Sequence, residues 1–178
     1  MKSKKELRKS LLSLRDKLTE VERSQSSKKI SHSLSKIIQK EKGPIAFYLP
    51  IRDEYDPTNV IKNWLKDSKQ NIACLPVIVR KNAPMIFRKW TEDCKLTEDL
   101  LNLSVPEESA DVLLPSLVIV PTLGFDCNNF RLGYGGGYYD RTLSGLDSLN
   151  VGVCFSIGKV QRLTVQEYDI ALDYIISG

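Results

Sequence analysis

The sequence predicts an α/β protein, a three-layer sandwich with a mostly parallel central sheet flanked by helices. Two observations carry this expectation. Short, wholly apolar runs recur along the chain, among them Leu117-Val118-Ile119-Val120 and Ile45-Ala46-Phe47-Tyr48-Leu49. A strand apolar on both faces belongs in a parallel sheet covered by helices. Between these runs lie stretches whose apolar residues recur at three- and four-residue spacing, the helical period. Strands and helices alternating in this way point to layered α/β architecture. At 178 residues, 42% hydrophobic and 27% charged, residues 1–178 are expected to form one domain. Residues 1–42 would be basic N-terminal helices packed on the α/β core.

Taken in order, residues 3–18 carry Leu7, Leu11, Leu14 and Leu18 among Lys, Arg and Glu, an amphipathic helix. Thr19 and Glu22 have the spacing of a capping box and open a second helix to about Gln39. Its apolar face is Ile30, Leu34, Ile37 and Ile38, and Gly43-Pro44 ends it. Residues 45–49 form a strand. Asp56-Pro57-Thr58 then starts a helix with Val60, Ile61, Trp64 and Leu65 on its inner face. Residues 71–79 read as a strand interrupted by Pro76, and 85–90 as a short strand. Residues 91–115 read as mostly irregular. Residues 117–120 are the strongest strand, 121–131 a loop, 138–143 a short helix and 151–155 a strand. Residues 161–169 read as polar helix or loop, and 174–176 as the last strand.

Composition removes several chemistries. The single histidine, His32, lies in a polar Ser- and Lys-rich stretch. Multi-His metal sites are excluded, and a histidine-based nucleophilic triad would lack a buried orienting partner. Cys74, Cys94, Cys127 and Cys154 form no C-x-x-C pair and read as free thiols of a reducing cytosol. No apolar run is long enough to span a bilayer, and no apolar leader follows the N-terminal Met-Lys-Ser-Lys-Lys. A cytoplasmic protein without a membrane partner is expected. Charge is unevenly placed: residues 1–42 hold thirteen Lys/Arg against five Asp/Glu, and the remainder thirteen against seventeen. Such asymmetry suits an anionic partner: nucleic acid, anionic lipid or a nucleotide phosphate.

Four of the ten glycines crowd into Arg131-Leu132-Gly133-Tyr134-Gly135-Gly136-Gly137-Tyr138-Tyr139-Asp140-Arg141. Glycine allows positive φ and close approach of backbone to a ligand. Free N–H groups at the start of a following helix can cradle phosphate. The segment has no Gly-Lys-Ser/Thr, so it is not a Walker A loop, and Tyr138 stands where G-x-G-x-x-G needs glycine. Arg131 and Arg141 add cations for phosphate, and Asp140 adds a carboxylate suited to Mg²⁺. A non-Walker phosphate-binding loop is the reading.

This run, preceded by Pro121-Thr122-Leu123-Gly124-Phe125-Asp126, closely resembles the signature of the 5-formyltetrahydrofolate cyclo-ligase family. Lys4-Lys5-Glu6-Leu7-Arg8, the segment from Tyr48-Leu49-Pro50 to Asp53-Glu54, and Asp169 with Asp173 resemble further family elements in order. The resemblance covers essentially the whole chain. It implies an enzyme using ATP and Mg²⁺ to convert 5-formyltetrahydrofolate to 5,10-methenyltetrahydrofolate. Phosphorylation of the formyl oxygen and ring closure by N10 would release ADP and phosphate. By position, ATP would be bound by Lys4, Lys5, Arg8, Arg131, Leu132, Gly133, Tyr134, Gly135, Gly136, Gly137, Tyr138 and Tyr139. The folate would meet Leu49, Glu54 and the segment Tyr134, Gly135, Gly136, Gly137 and Tyr138. Mg²⁺ would be held by Asp140 and Asp173. The partners implied are a reduced folate and a nucleotide, with no nucleic acid, and the chain is expected to be a monomer.

Three departures stand out. Some members of the family carry Lys where this chain has Gly136, so Arg131 or Arg141 would take up that charge. Pro57 is inserted into the segment after Glu54. Val105-Pro106-Glu107 reverses the family's central Glu-Pro order. Two competing readings are a nucleotide or folate binder without catalysis and a basic nucleic-acid-binding module. Sparse aromatics in residues 1–42 count against the second.

Overall fold

The computed structural model describes residues 3–178. Lys2, one of the thirteen basic residues counted above, lies outside them. The elements in chain order begin with α1 (Lys4–Asp16), α2 (Glu20–Ile38), β1 (Ile45–Ala46), α3 (Thr58–Asp67), β2 (Ala73–Val77) and β3 (Ile86–Trp90). Then come β4 (Leu96–Glu98), β5 (Ser104–Pro106), β6 (Val112–Leu113), β7 (Leu117–Pro121), β8 (Gly124–Phe125) and β9 (Arg131–Leu132). The chain finishes with α4 (Tyr138–Leu143), β10 (Leu149–Cys154), a 3₁₀ turn (Ser156–Gly158) and β11 (Tyr174–Ser177).

Both N-terminal helices open on reciprocal capping boxes. Ser3 Oγ accepts from the Glu6 N–H while the Glu6 carboxylate accepts from the Ser3 N–H, and Thr19 and Glu22 repeat the arrangement.

Seven strands form one sheet in the order β11-β10-β7-β1-β2-β3-β6. The first five run parallel, and β3 is antiparallel to both its neighbours. The α/β class expected from the apolar runs is therefore the one observed. Because side chains alternate across a strand, consecutive apolar residues bury on opposite faces. Leu117 and Ile119 join Ile45, Phe47, Val151 and Val153 beneath Ile30, Leu34 and Ile38 of α2 and Ile61 and Trp64 of α3. Val118 and Val120 join Ala46 and Cys74 on the other face, under Leu143 of α4 and Leu172. Each such side chain taken wholly from water contributes about 1.5–3 kcal/mol. Trp90 and Phe47 meet edge-to-face at 5.0 Å within the first core.

The two N-terminal helices take different seats. α2 covers the sheet, whereas α1 lies on the β8–β9 ribbon, its Leu11 packed on Leu123, Leu132 and Leu163. The buried stripe of α1 is not the leucine series read from the sequence. Leu14 is 46% exposed, and Arg15, four residues after Leu11, is buried at 4%.

Other readings are corrected. Residues 91–115 are not mostly irregular: they hold the β4–β5 hairpin and β6, an edge strand of the main sheet. These strands have only two or three residues, and apart from Val105 and Pro106 their side chains are exposed or half-buried, so no apolar run marks them. Pro76 does not interrupt β2. The Phe47 N–H donates to the Cys74 carbonyl, so Cys74, and two residues on Pro76, face β1, which ends at Ala46. The N–H that proline lacks has no ladder partner to lose. The loop expected over 121–131 contains the β8–β9 ribbon. Its turn is built on Asp126, 1% exposed, whose carboxylate accepts from the N–H groups of Asn128, Phe130 and Leu163.

Candidate active site

The chain from β1 runs to one side of the sheet through β2, and from β7 to the other through β10 and β11. The point between β1 and β7 is therefore where the strand order reverses. Open parallel sheets bind ligands outside the carboxyl ends of their strands at such a point. A cleft lies there. Tyr48, Glu54 and Tyr55 follow β1, Thr122 and Leu123 follow β7, Cys154 and Phe155 end β10, and Leu11 and Arg15 of α1 close it from above.

Glu54 is placed by a tight turn. Arg52 and Asp53 take φ of 47° and 57°, unusual for side chains other than glycine. The Glu54 N–H then donates to the Ile51 carbonyl, and the carboxylate accepts from the Ile51 N–H at 3.0 Å. Burial pushes the Glu54 carboxyl above its ordinary pKa. The hydrogen bonds from Ile51 and from the Tyr134 hydroxyl, and the charges of Arg15 and Arg52, oppose that shift without cancelling it. Beside it, burial and the Glu54 charge push the Tyr134 phenol up to about 12 and raise Tyr139 further.

The glycine segment reaches this cleft. Tyr134 extends from it, its hydroxyl accepting from Arg15 Nη2 at 2.9 Å, with the Arg52 guanidinium 5.4 Å from its ring centre. Gly135 and Gly137 have φ of 99° and 66°. A side chain at Gly135 would also press on the Arg8 guanidinium 3.2 Å away. Arg8 Nε donates to the Gly133 carbonyl at 2.8 Å, and Arg141 Nη2 to the Gly136 carbonyl at 2.5 Å. No side chain caps α4, which starts directly after Gly137. Thr142 pins that helix from inside, donating to the Tyr138 carbonyl and accepting from the Met85 N–H.

Asp140 and Asp169 lie beside the glycine segment and the start of α1, whereas Asp173 stands at the start of β10, the end of that strand away from the cleft. Asp140 is paired with Arg131 at 2.9 Å and accepts from the Ile170 N–H, both through Oδ1. Arg131 also donates to the Ile170 carbonyl. Asp169 pairs with Lys4 at 2.6 Å, tying the start of α1 to the same segment. Asp173 accepts from the Asn150 N–H through Oδ2. Among the described residues no group of three or more His, Cys, Asp or Glu gathers as a metal cage. Magnesium needs only one or two carboxylates beside phosphate and water. Asp140 Oδ2 and Asp173 Oδ1 carry no hydrogen bond, so each has an oxygen to offer.

Of the residues singled out from the sequence, Arg8, Gly133 and Gly135 meet one another beside Tyr134, while Tyr134 reaches the cleft through Arg15 and Glu54 lines it. Lys4, Arg131, Tyr139 and Asp140 stand next to it. Lys5 is exposed, and Leu132 is buried beneath α1, so only its main chain is available to a ligand. Leu49 packs against the large core. Sequence reading missed Arg15, Tyr48 and Thr122. Arg15 carried a usable signal, a cation falling on the helix's own apolar stripe.

The sequence model of the 5-formyltetrahydrofolate cyclo-ligase family matches residues 1–178. The 5-formyltetrahydrofolate cyclo-ligase of Haemophilus influenzae is 23% identical over 98% of this chain and 97% of its own. That of Mycoplasma genitalium is 28% identical over 99% and 98%. Among solved structures, a 5,10-methenyltetrahydrofolate synthetase of Mycoplasma pneumoniae superposes with a TM-score of 0.79 at 27% identity, covering 98% of both chains. The Aquifex aeolicus 5,10-methenyltetrahydrofolate synthetase gives 0.82 at 30%, covering 98% of this chain and 89% of that one.

Proposed function

The chain belongs to the 5-formyltetrahydrofolate cyclo-ligase family, enzymes forming 5,10-methenyltetrahydrofolate, and we propose that residues 1–178 act as one ATP- and Mg²⁺-dependent domain. The observation that carries this reading is the Tyr134 hydroxyl, which the glycine segment brings to within 2.9 Å of Arg15 in the cleft that Glu54 also lines. It supports a reading in which the glycine backbone takes phosphate beside a carboxylate suited to the N–H donors of a pterin ring.

The chemistry needs position and charge more than a protein nucleophile. The formyl oxygen attacks the γ-phosphorus of ATP, and the bond to ADP breaks. N10 then attacks the activated carbon and loses its proton to solvent or to the departing phosphate. Phosphate leaves with the former formyl oxygen, and the N5–CH–N10 cation remains. Lys4, Lys5, Arg8 and Arg141, with main-chain amides from Gly133 to Tyr139, would neutralise and align the triphosphate. The backbone from Tyr134 to Tyr138 would also border the folate, which Leu49 and Glu54 receive. Arg131 acts through Asp140, holding that carboxylate in place. Mg²⁺ supplies charge neutralisation on the phosphates, and Asp140 and Asp173 are the residues to hold it.

Lys4 and Arg8 are turned inward, on Asp169 and the Gly133 carbonyl. That disposition favours a local phosphate site over a nucleic-acid face. No helix among the described residues is long and apolar enough to cross a membrane. The test is a spectrophotometric assay with 5-formyltetrahydrofolate and MgATP. Methenyl absorbance should grow, with ADP formed only when the folate is present. Absence of both from folded protein would overturn the proposal.

A further inference from the structure

Arg15 is the least explained charged group in the molecule. It is 4% exposed, and its Nε is buried without a hydrogen-bond partner. No carboxylate of the described residues stands within ion-pair distance. Its one side-chain hydrogen bond goes to the Tyr134 hydroxyl. A buried guanidinium so poorly satisfied destabilises the fold. Structural arginines escape that cost by taking a carboxylate or several carbonyls, as Arg131 does with Asp140 and Ile170.

The geometry around it has the form of a receptor. Arg15 and Glu54 line the same cleft, and the Tyr134 hydroxyl interacts with both, accepting from the cation and donating toward the carboxylate. The pair therefore addresses a planar ring whose edge presents an acceptor next to a donor. A tyrosine hydroxyl offers both in one atom. A lactam offers them in two, as C=O and the adjacent N–H. Tyr134 is 37% exposed and stands between Gly133 and Gly135, so its ring borders solvent rather than being enclosed by the core.

Building on the reading of the substrate as a reduced folate, we propose that Arg15 is a specificity-determining residue that reads the pterin lactam carbonyl. Glu54 takes the neighbouring N–H, and Tyr134 is the internal stand-in that the pterin displaces. The Nε that is idle in the free protein gains the second lone pair of that carbonyl. The site would then discriminate against 4-amino pteridines, which present a donor to a donor.

The test is calorimetric binding, with the full chain, of 5-formyltetrahydrofolate, its 4-amino counterpart and MgATP. The wild-type protein should prefer the 4-oxo ligand by about 10–100-fold, the range of a charged hydrogen bond lost. Arg15→Met should lose most of that preference while MgATP affinity changes less than about threefold. An Arg15→Met protein that keeps the preference, or loses folate and nucleotide affinity alike, overturns the proposal. Should Arg15→Met fail to fold, Tyr134→Phe decides: removing the competing hydroxyl should tighten 5-formyltetrahydrofolate binding, and weaker binding overturns the assignment. Wild-type protein that binds neither folate would instead count against the cyclo-ligase reading itself.

Discussion

Arg8 on the first helix donates from Nε to the carbonyl of Gly133, 2.8 Å away and 125 residues later in the chain. The bond makes α1 a clamp on the glycine segment. Arg8→Ala should raise the KM for ATP by at least about tenfold, since a charged contact to phosphate is lost. It should also speed amide hydrogen exchange across residues 133–137. Arg8→Lys should recover part of the ATP affinity and little of the exchange protection, because the lysine tip does not reproduce the Nε geometry.

Asp140 has two partners besides any metal, so truncating it disturbs more than catalysis. Asp140→Ala leaves the Arg131 side chain, 5% exposed, without its ion-pair partner. Breaking such a pair should cost about 1–3 kcal/mol, seen as a lower midpoint in urea. Asp140→Asn keeps an acceptor for Arg131 and the Ile170 N–H and should melt nearly as the wild type does. Both should lose turnover by about a hundredfold or more. Full activity in the asparagine variant would remove Asp140 from the metal role.

Glu54 has a folded-state pKa above its ordinary 4.5, chiefly through burial. A carboxyl of this kind binds its proton more tightly in the folded chain than in the unfolded one. It therefore stabilises the fold below the unfolded pKa, and that contribution is lost as pH rises through the raised value. Glu54→Gln should make the protein more stable at pH 7, with the gain vanishing below about pH 4 in denaturant titrations. The same substitution should weaken 5-formyltetrahydrofolate binding, because an amide is a poorer acceptor for the pterin donors. A variant less stable at neutral pH would show that the Arg15 and Arg52 charges outweigh burial.

Arg141 is placed to supply the charge that a lysine at position 136 would carry. Arg141 donates to the Gly136 carbonyl, and its guanidinium is 5.1 Å from the Tyr138 ring centre. Arg131, the other candidate for the missing lysine charge, is committed to Asp140 and Ile170. Arg141→Ala should raise the KM for ATP by about tenfold. Gly136→Lys in that background should restore part of the loss, despite the contact its Cβ makes with the Tyr138 ring at 2.9 Å. Equal KM values for the single and double variants would count against a shared phosphate role.

Legibility in the sequence followed the strength of the local signal. Leu117 to Val120, the α2 face at Ile30, Leu34 and Ile38, and the Thr19–Glu22 cap each follow from a period or a cap that one residue type can announce. β4 and β5, a separate ribbon, and β6, a sheet edge, did not, because strands of two or three residues are too short to leave a pattern. The ribbon at Gly124 and Arg131 depends on Asp126 gathering two local N–H groups and the distant one of Leu163, the last a tertiary event. The glycine segment announced itself by its own composition, whereas Glu54 and Arg8 were reached through a resemblance carried by their order along the chain. Arg15 was passed over because charges on a helix are usually solvated, and only the fold shows that this one is not.

The four thiols divide by depth. Burial drives Cys74 and Cys154 up to about 12, so both stay protonated and unreactive at neutral pH. Cys127 is exposed, on the turn that Asp126 builds, two residues from the Asn129 carbonyl that accepts from the Leu172 N–H. A maleimide fluorophore will find Cys127 first and the half-buried Cys94 more slowly. The molecule thus carries its own attachment point for an optical reporter, seated beside the segment that leads to Asp173.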